Sequence, residues 1–199
     1  MKKISLLLFS FLVIKCASSQ DVGFILTYPM GFSVGDMDNY ISKTSFRGIS
    51  AELYKRIKPN LDIGIEASWS LFYEKADKQT ATEGTASITG VQFRYVHVVP
   101  LLAQAKFFLK PESGKRIIPY GGLGVGTMYV DKYTDLGLYR IRSDVWQFCV
   151  RPEAGIAIQT KHMPAIIAGV KYYAGFETAD LKGQSYFSVN VGIMFSGFY

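Results

Sequence analysis

The sequence predicts an all-β fold, an eight-stranded antiparallel up-and-down transmembrane β-barrel. Three observations predict it. Apolar side chains recur at every second position along segments spread over the chain, the period a strand requires. Three short and four long connections alternate strictly between those segments. The composition is 49% hydrophobic and 19% charged, with 13 Tyr, 14 Phe and 19 Gly. No run after the N-terminus approaches the ~20 apolar residues of a membrane-crossing helix. Such a mix suits barrels with aromatic girdles.

The N-terminus carries a different signal. Lys2 and Lys3 precede an apolar run of eleven residues, Ile4 to Ile14, and Ala17-Ser18-Ser19 supplies small residues. That is the tripartite pattern of a secretory signal peptide, and the run is too short for an anchor. Residues 1–19 are expected to be cleaved before Gln20, leaving one domain, 20–199. Lipoprotein cleavage before Cys16 fits less well, because Lys15 stands where a small residue belongs. Cleavage removes Lys2, Lys3 and Lys15, so 22 basic residues become 19 against 16 acidic, and the charge falls from +6 to +3. The basic balance is thus partly a targeting feature, and no nucleic-acid partner is implied. Cys149 is left as the one cysteine, which excludes an intramolecular disulfide and suits a small buried residue.

The strands follow in order. The first, about 22–32, sets Phe24, Leu26 and Tyr28 opposite Gly23 and Thr27. The second, 46–57, sets Ile49, Ala51 and Leu53 opposite Ser50, Glu52 and Arg56. The third, 61–73, is the clearest: Leu61, Ile63, Ile65, Ala67, Trp69, Leu71 and Tyr73 share one face, and Asp62, Gly64, Glu66, Ser68 and Ser70 share the other, joined by Phe72. The fourth, about 99–109, sets Leu101, Ala103, Ala105 and Phe107 opposite Gln104, Lys106 and Phe108. In the fifth, 117–129, Leu123 and Val125 oppose Gly122, Gly124 and Gly126. The sixth, 146–158, opposes Trp146, Phe148 and Val150 to Gln147, Cys149, Arg151 and Glu153. The seventh, 166–176, opposes Ile166, Val170 and Tyr172 to Lys171 and Tyr173. The eighth sets Phe187, Val189, Val191, Ile193 and Phe195 opposite Ser188, Asn190 and Gly192, with Met194 an exception. Short connections lie at 58–60, 111–115 and 159–164, and long ones at about 35–45, 75–87, 131–143 and 177–184. An even-stranded membrane barrel with both termini in the periplasm has this rhythm.

The apolar face is expected to meet lipid and the other to fill the lumen. The second face carries Gly, Ser, Gln and Asn with few charges, unlike a solvated coat. Alternation turns Glu52, Asp62, Glu66 and Glu153 inward against Arg56, Arg94, Lys106, Arg151 and Lys171, close to balance, and buried charges need partners. The glycine ladder Gly122, Gly124 and Gly126 leaves room for long side chains such as Lys106, Gln104 and Arg151, or else relieves strand curvature. Trp69, Tyr73, Tyr129, Trp146, Tyr172 and Tyr186, with Tyr133 and Tyr173, cluster toward the long-loop end and are expected to form the membrane-interface girdle.

These features resemble the outer-membrane-protein β-barrel domain family, small eight-stranded barrels of the OmpW, OmpX and OmpA class. The resemblance covers residues 20–199 and rests on Pro119-Tyr120-Gly121-Gly122-Leu123-Gly124-Val125-Gly126, on Trp146…Pro152-Glu153-Ala154-Gly155 and on the C-terminal strand. There Asn190, Gly192, Phe195 and Tyr199 resemble the signal read by the barrel assembly machinery, although Gly197 replaces a second aromatic. The resemblance implies an integral outer-membrane location in a Gram-negative bacterium, with outer-membrane lipids and the assembly machinery as partners. It implies no shared activity.

No catalytic, metal or cofactor residue is assigned, and no enzyme activity is expected. Catalysis needs an activated nucleophile. His162 sits in a short turn, and His97 shares the parity of the apolar face unless a bulge near Pro100 turns it. Glu52, Glu66 and Glu153 read better as partners of the lumen bases than as catalytic acids. P-loop, GxGxxG, zinc and calcium motifs are absent from the sequence. The leading expectation is a monomeric barrel with a filled lumen and a structural or surface-interaction role through four long loops. Alternatives are passage or binding of small apolar molecules across the outer membrane, for which Pro29 and Pro100 are the hints of a side opening, a lipid-modifying barrel enzyme, and a soluble lipocalin-like carrier.

Overall fold

The computed structural model describes residues 22–83, 86–109, 116–136, 139–160, 164–179 and 181–195. Residues 1–19, the expected signal peptide with Cys16, lie outside them, as do His162 and Tyr199. Among the described residues no helix is long and apolar enough to cross a membrane. Eight strands close a barrel: β1 Val22–Val34, β2 Gly48–Lys58, β3 Leu61–Glu83, β4 Ala86–Phe108, β5 Ile117–Leu136, β6 Tyr139–Ile158, β7 Ala165–Gly175 and β8 Ser185–Phe195. Each pairs antiparallel with the next, and β8 returns to β1.

The register fixes the barrel's shape. The ladder partners of Phe24 run through Leu53, Ile65, Ala103, Val125, Val150, Ala174 and Ser185, and arrive back on β1 at Val34. That stagger tilts the strands by about 40° and leaves an interior that side chains fill. Alternation then decides placement. Ile49, Leu53, Ile63, Ile65, Leu101, Leu123, Val125, Phe148, Val191 and Ile193 are exposed on the outside, whereas Glu52, Glu66, Lys106, Arg151 and Lys171 are buried. Water-soluble proteins bury such side chains in this arrangement only rarely.

Two expected loops are strands. Residues 75–83 and 86–98 extend β3 and β4, and residues 131–136 and 139–145 extend β5 and β6. β2 pairs with β3 only as far as Ser70, and β7 pairs with β6 only from Cys149. β3 to β6 therefore continue past the barrel rim as a four-stranded blade. Cross-strand pairs support it outside: Arg140 Nε is 2.6 Å from Asp135, Arg142 Nε is 2.7 Å from Asp131, and the Tyr95 and Tyr133 rings stack at 4.8 Å. Such pairs stabilise a sheet without an apolar stripe, which is why apolar alternation ended the strands early.

Each proline is paired on one side only: the β1–β2 ladder stops at Thr27–Ser50, before Pro29, and the β3–β4 ladder skips Pro100 between Ala67–Leu101 and Ser70–Val98. Pro29 sits opposite Asn190 and Pro100 opposite Met128, with no shift of register. His97 stays outside, between Trp69 and Tyr133, with ring centroids 6.1 and 5.8 Å away.

Candidate functional site

The lumen has three levels. At mid-height, six charged side chains from five strands form a closed ring of alternating sign. Lys106 on β4 contacts Glu52 on β2 and lies 3.5 Å from Glu153 on β6. Arg151, also on β6, reaches Glu153 at 2.5 Å and Glu66 on β3 at 3.0 Å. Lys171 on β7 lies 3.1 Å from Glu66 and closes the ring on Glu52 at 2.6 Å. Three acids meet three bases, so the ring carries no net charge.

Neutral side chains brace it. Gln104 donates to Glu52 at 2.8 Å and accepts from Arg151 at 2.5 Å. Tyr173 and Ser50 donate to Glu66 at 2.5 and 3.2 Å. The glycine ladder lies beside the longest members: Gly122 is registered between Lys106 and Glu153, and Gly124 between Gln104 and Arg151. A Cβ on Gly124 would stand 2.9 Å from Arg151 Nε. These glycines are the space that the ring occupies.

Apolar layers cap the ring. Below it, Ile25, Tyr54, Phe108, Ile118, Ile167 and Met194 pack together, and Arg56 pairs with Asp62 at 2.9 Å. Above it, Phe72, Val96, Val98, Met128, Val130 and Tyr173 form a second layer. The inward face therefore alternates charged and apolar levels, and Phe72, Phe108 and Met194 belong to the apolar layers. Tyr186 belongs here too. It is buried and stacks on Tyr173 at 4.5 Å, so Tyr186 and Tyr173 are lumen residues, not girdle residues. Phe187 faces out, and alternation turns its neighbour in.

The β1–β2 connection is a lid. Gly35 turns the chain with φ of 62°, a conformation that suits glycine. Hydrogen bonds from Asn39 N to Gly35 O and from Ile41 N to Met37 O then make a compact turn. It drives Met37 and Ile41 into the upper layer, fully buried. The blade's inner side latches this turn. Lys132 Nζ lies 3.7 Å from the centre of the Tyr40 ring, and Arg94 Nη1 donates to Tyr40 O at 3.1 Å. Ser42 N donates to Glu74 at 2.6 Å. Arg94 thus serves the latch, away from the ring, and Arg56 and Asp62 stand at the other mouth. Burial raises the Tyr40 hydroxyl above its usual pKa, and burial with Arg94 nearby lowers that of Lys132. Ile41→Ala is expected to cost about 2–5 kcal/mol locally, read as faster amide exchange at 37–41 with the barrel's own unfolding unchanged.

On the outside, Trp69 lies beside His97, Tyr129 meets Trp146 at 5.2 Å, and Tyr172 meets Phe187 at 4.6 Å. Tyr73 packs against Tyr95 at 5.0 Å. In β8, Asn190 donates to Ser188 O at 3.0 Å, Gly192 lies against the backbone of Leu26, and Phe195 stacks on Phe24 at 6.3 Å. Among the described residues no group of His, Cys, Asp and Glu side chains could hold a metal ion. Cys149 is buried in the upper layer.

An apolar wall outside an interior that holds a self-neutralised ring of charges inverts the arrangement of a water-soluble barrel, and comparison with solved structures agrees. Neisserial surface protein A is similar over 90% of this chain and 98% of its own, with 12% identity and a TM-score of 0.57. The outer membrane protein OprG from Pseudomonas aeruginosa is similar over 89% of this chain and 97% of its own, with 11% identity and a TM-score of 0.50. The fold is that of a small outer-membrane barrel. No protein-family description and no curated protein sequence matches the chain.

Proposed function

We propose that this barrel is exported, loses residues 1–19 and resides in the outer membrane as a closed scaffold, with a surface-interaction role carried by its blade. The single observation behind this reading is the stack of closures in the lumen: the Met37 and Ile41 lid, the neutral ring and the lower apolar layer. A closed lumen leaves contact as the role, and the blade offers β-strand edges and loops outside the barrel. Export and C-terminal assembly follow from the sequence, with the barrel assembly machinery and outer-membrane lipids as partners. Both termini face the periplasm in this reading, because the short connections share their end.

Planar-bilayer recording tests it. The expected result is no stable conductance from the wild-type barrel. Steady ion current would defeat the closed-scaffold reading and favour passage of small molecules. Recovery of the protein in a soluble fraction without detergent would defeat the membrane reading itself.

A further inference from the structure

We infer that the outward face of the blade binds the saccharide headgroup of a glycolipid in the outer leaflet. This rests on the membrane reading above and adds a ligand to it. The surface begins where the apolar wall ends. Phe148 and Val125 are exposed and apolar, and Tyr129 and Trp146 pack just beyond them. Aromatic rings with a polar tip mark the boundary between hydrocarbon and headgroups.

The blade's outward residues continue past that boundary. Tyr73, Tyr95 and Tyr133 stand side by side in one row, which ends at Arg142. Tyr133 is four residues beyond Tyr129. At the strand rise and a tilt of about 40°, that places it about 10 Å higher along the membrane normal. A phospholipid headgroup layer adds only about 5–8 Å per leaflet. Ladder neighbours about 4.8 Å apart at that tilt differ by about 3 Å in height, and the row rises from β3 to β6. Tyr133 and Arg142 therefore stand above the reach of ordinary headgroups, at a level filled by sugars where the lipid carries them, while Tyr95 and Tyr73 lie about 3 and about 6 Å below Tyr133, at headgroup level.

The chemistry of the row fits sugars better than phosphate. Lys75, Arg140 and Arg142, with Arg47 over the Tyr73 ring, face Asp131, Asp135 and Asp144 across this row and its two neighbours, four bases to three acids. The face is close to balance, and two of its bases are held in carboxylate pairs, so its pull on an anion is weak. Both Arg–Asp pairs are bidentate: Arg142 reaches Asp131 at 2.7 and 3.1 Å, and Arg140 reaches Asp135 at 2.6 and 3.0 Å. Such pairs hold planar donors and acceptors in fixed positions, the array that neighbouring hydroxyls need. The His97 ring nitrogen lies 3.3 Å from the Tyr133 hydroxyl, and the Tyr129 hydroxyl donates to Asp144 at 3.1 Å. The face is thus a preorganised network rather than a set of loose side chains.

The test uses the full barrel in phospholipid nanodiscs. The probes are a lipopolysaccharide with its core saccharide, a truncated form keeping only acyl chains and phosphates, and the released core oligosaccharide. The full glycolipid is expected to bind at least about tenfold more tightly than either other probe, as losing one hydrogen bond to a charged group would predict. Asp131→Asn and Tyr133→Ala should each lower full-glycolipid binding and leave the truncated form unaffected. Heat-modifiable migration confirms that each variant is folded, and Asp131→Asn is conservative enough to serve if Tyr133→Ala is not. Equal binding of the full and truncated forms overturns the inference, as does a released oligosaccharide that binds as well as the glycolipid. Stronger binding by Asp131→Asn would reveal a phosphate site and also overturn it. None of these failures touches the membrane reading, which fractionation tests separately.

Discussion

Arg151→Met is expected to destabilise the barrel by about 3–5 kcal/mol, the usual cost of removing one partner from a buried ion pair. Arg151 is fully buried, contacts Glu66 and Glu153, and donates to Gln104. Removing it leaves the ring with three carboxylates and two ammonium groups, and the interior offers no solvent to screen the excess. The charge count gives the argument its sharpest form. Arg151→Met with Glu153→Gln restores neutrality, so the double variant should lose less than the sum of its two single variants. Urea unfolding from lipid vesicles reads all three. A loss below about 1 kcal/mol for Arg151→Met, the range of exposed pairs, would mean that water reaches the ring.

That ring was half legible in the sequence. Parity alone turned Glu52, Glu66, Lys106, Arg151, Glu153 and Lys171 inward, because a strand's side chains alternate without exception in an unbulged ladder. Closure into a ring was not legible. Lys171 and Glu52 are 119 positions apart, and only the stagger of the barrel brings them together. Arg56, Asp62 and Arg94 share the same parity yet stand at the mouths, since parity reports the face and not the depth.

Other features were missed for identifiable reasons. Tyr186 was assigned to the girdle by residue type, although the outward pattern of Phe187, Val191 and Ile193 already placed it inside. Residues 75–87 and 131–143 read as loops because a sheet outside the membrane needs no apolar stripe. Met37 and Ile41 were the one readable sign of the lid, two apolar residues four apart in a polar connection, the spacing of one compact turn. Nothing in the sequence said what that turn would pack against.

Gly124→Arg is expected to abolish the folded barrel. A Cβ at this position would lie 2.9 and 3.0 Å from two nitrogens of Arg151 and 3.3 Å from Leu102. If Arg151 yields, it gives up its contacts with Glu66, Glu153 and Gln104. The variant adds a long side chain where the ring already fills the space, and a fourth cation where the charge is balanced. Overpacking costs about 1–3 kcal/mol for added methylenes alone, and an unpaired buried charge adds several more. Together these rival the whole stability of a typical domain, about 5–15 kcal/mol. Gly121 provides the control. It lies on the same strand and faces outward, and a Cβ there would meet only Glu153 O at 3.8 Å. Gly121→Ala should therefore fold normally, whereas Gly124→Ala should be measurably weakened and Gly124→Arg should show no heat-modifiable band on a gel. Normal migration of Gly124→Arg would mean that the lumen has spare volume. In that case the glycine ladder would serve strand curvature, and the closed-scaffold reading would lose its physical basis.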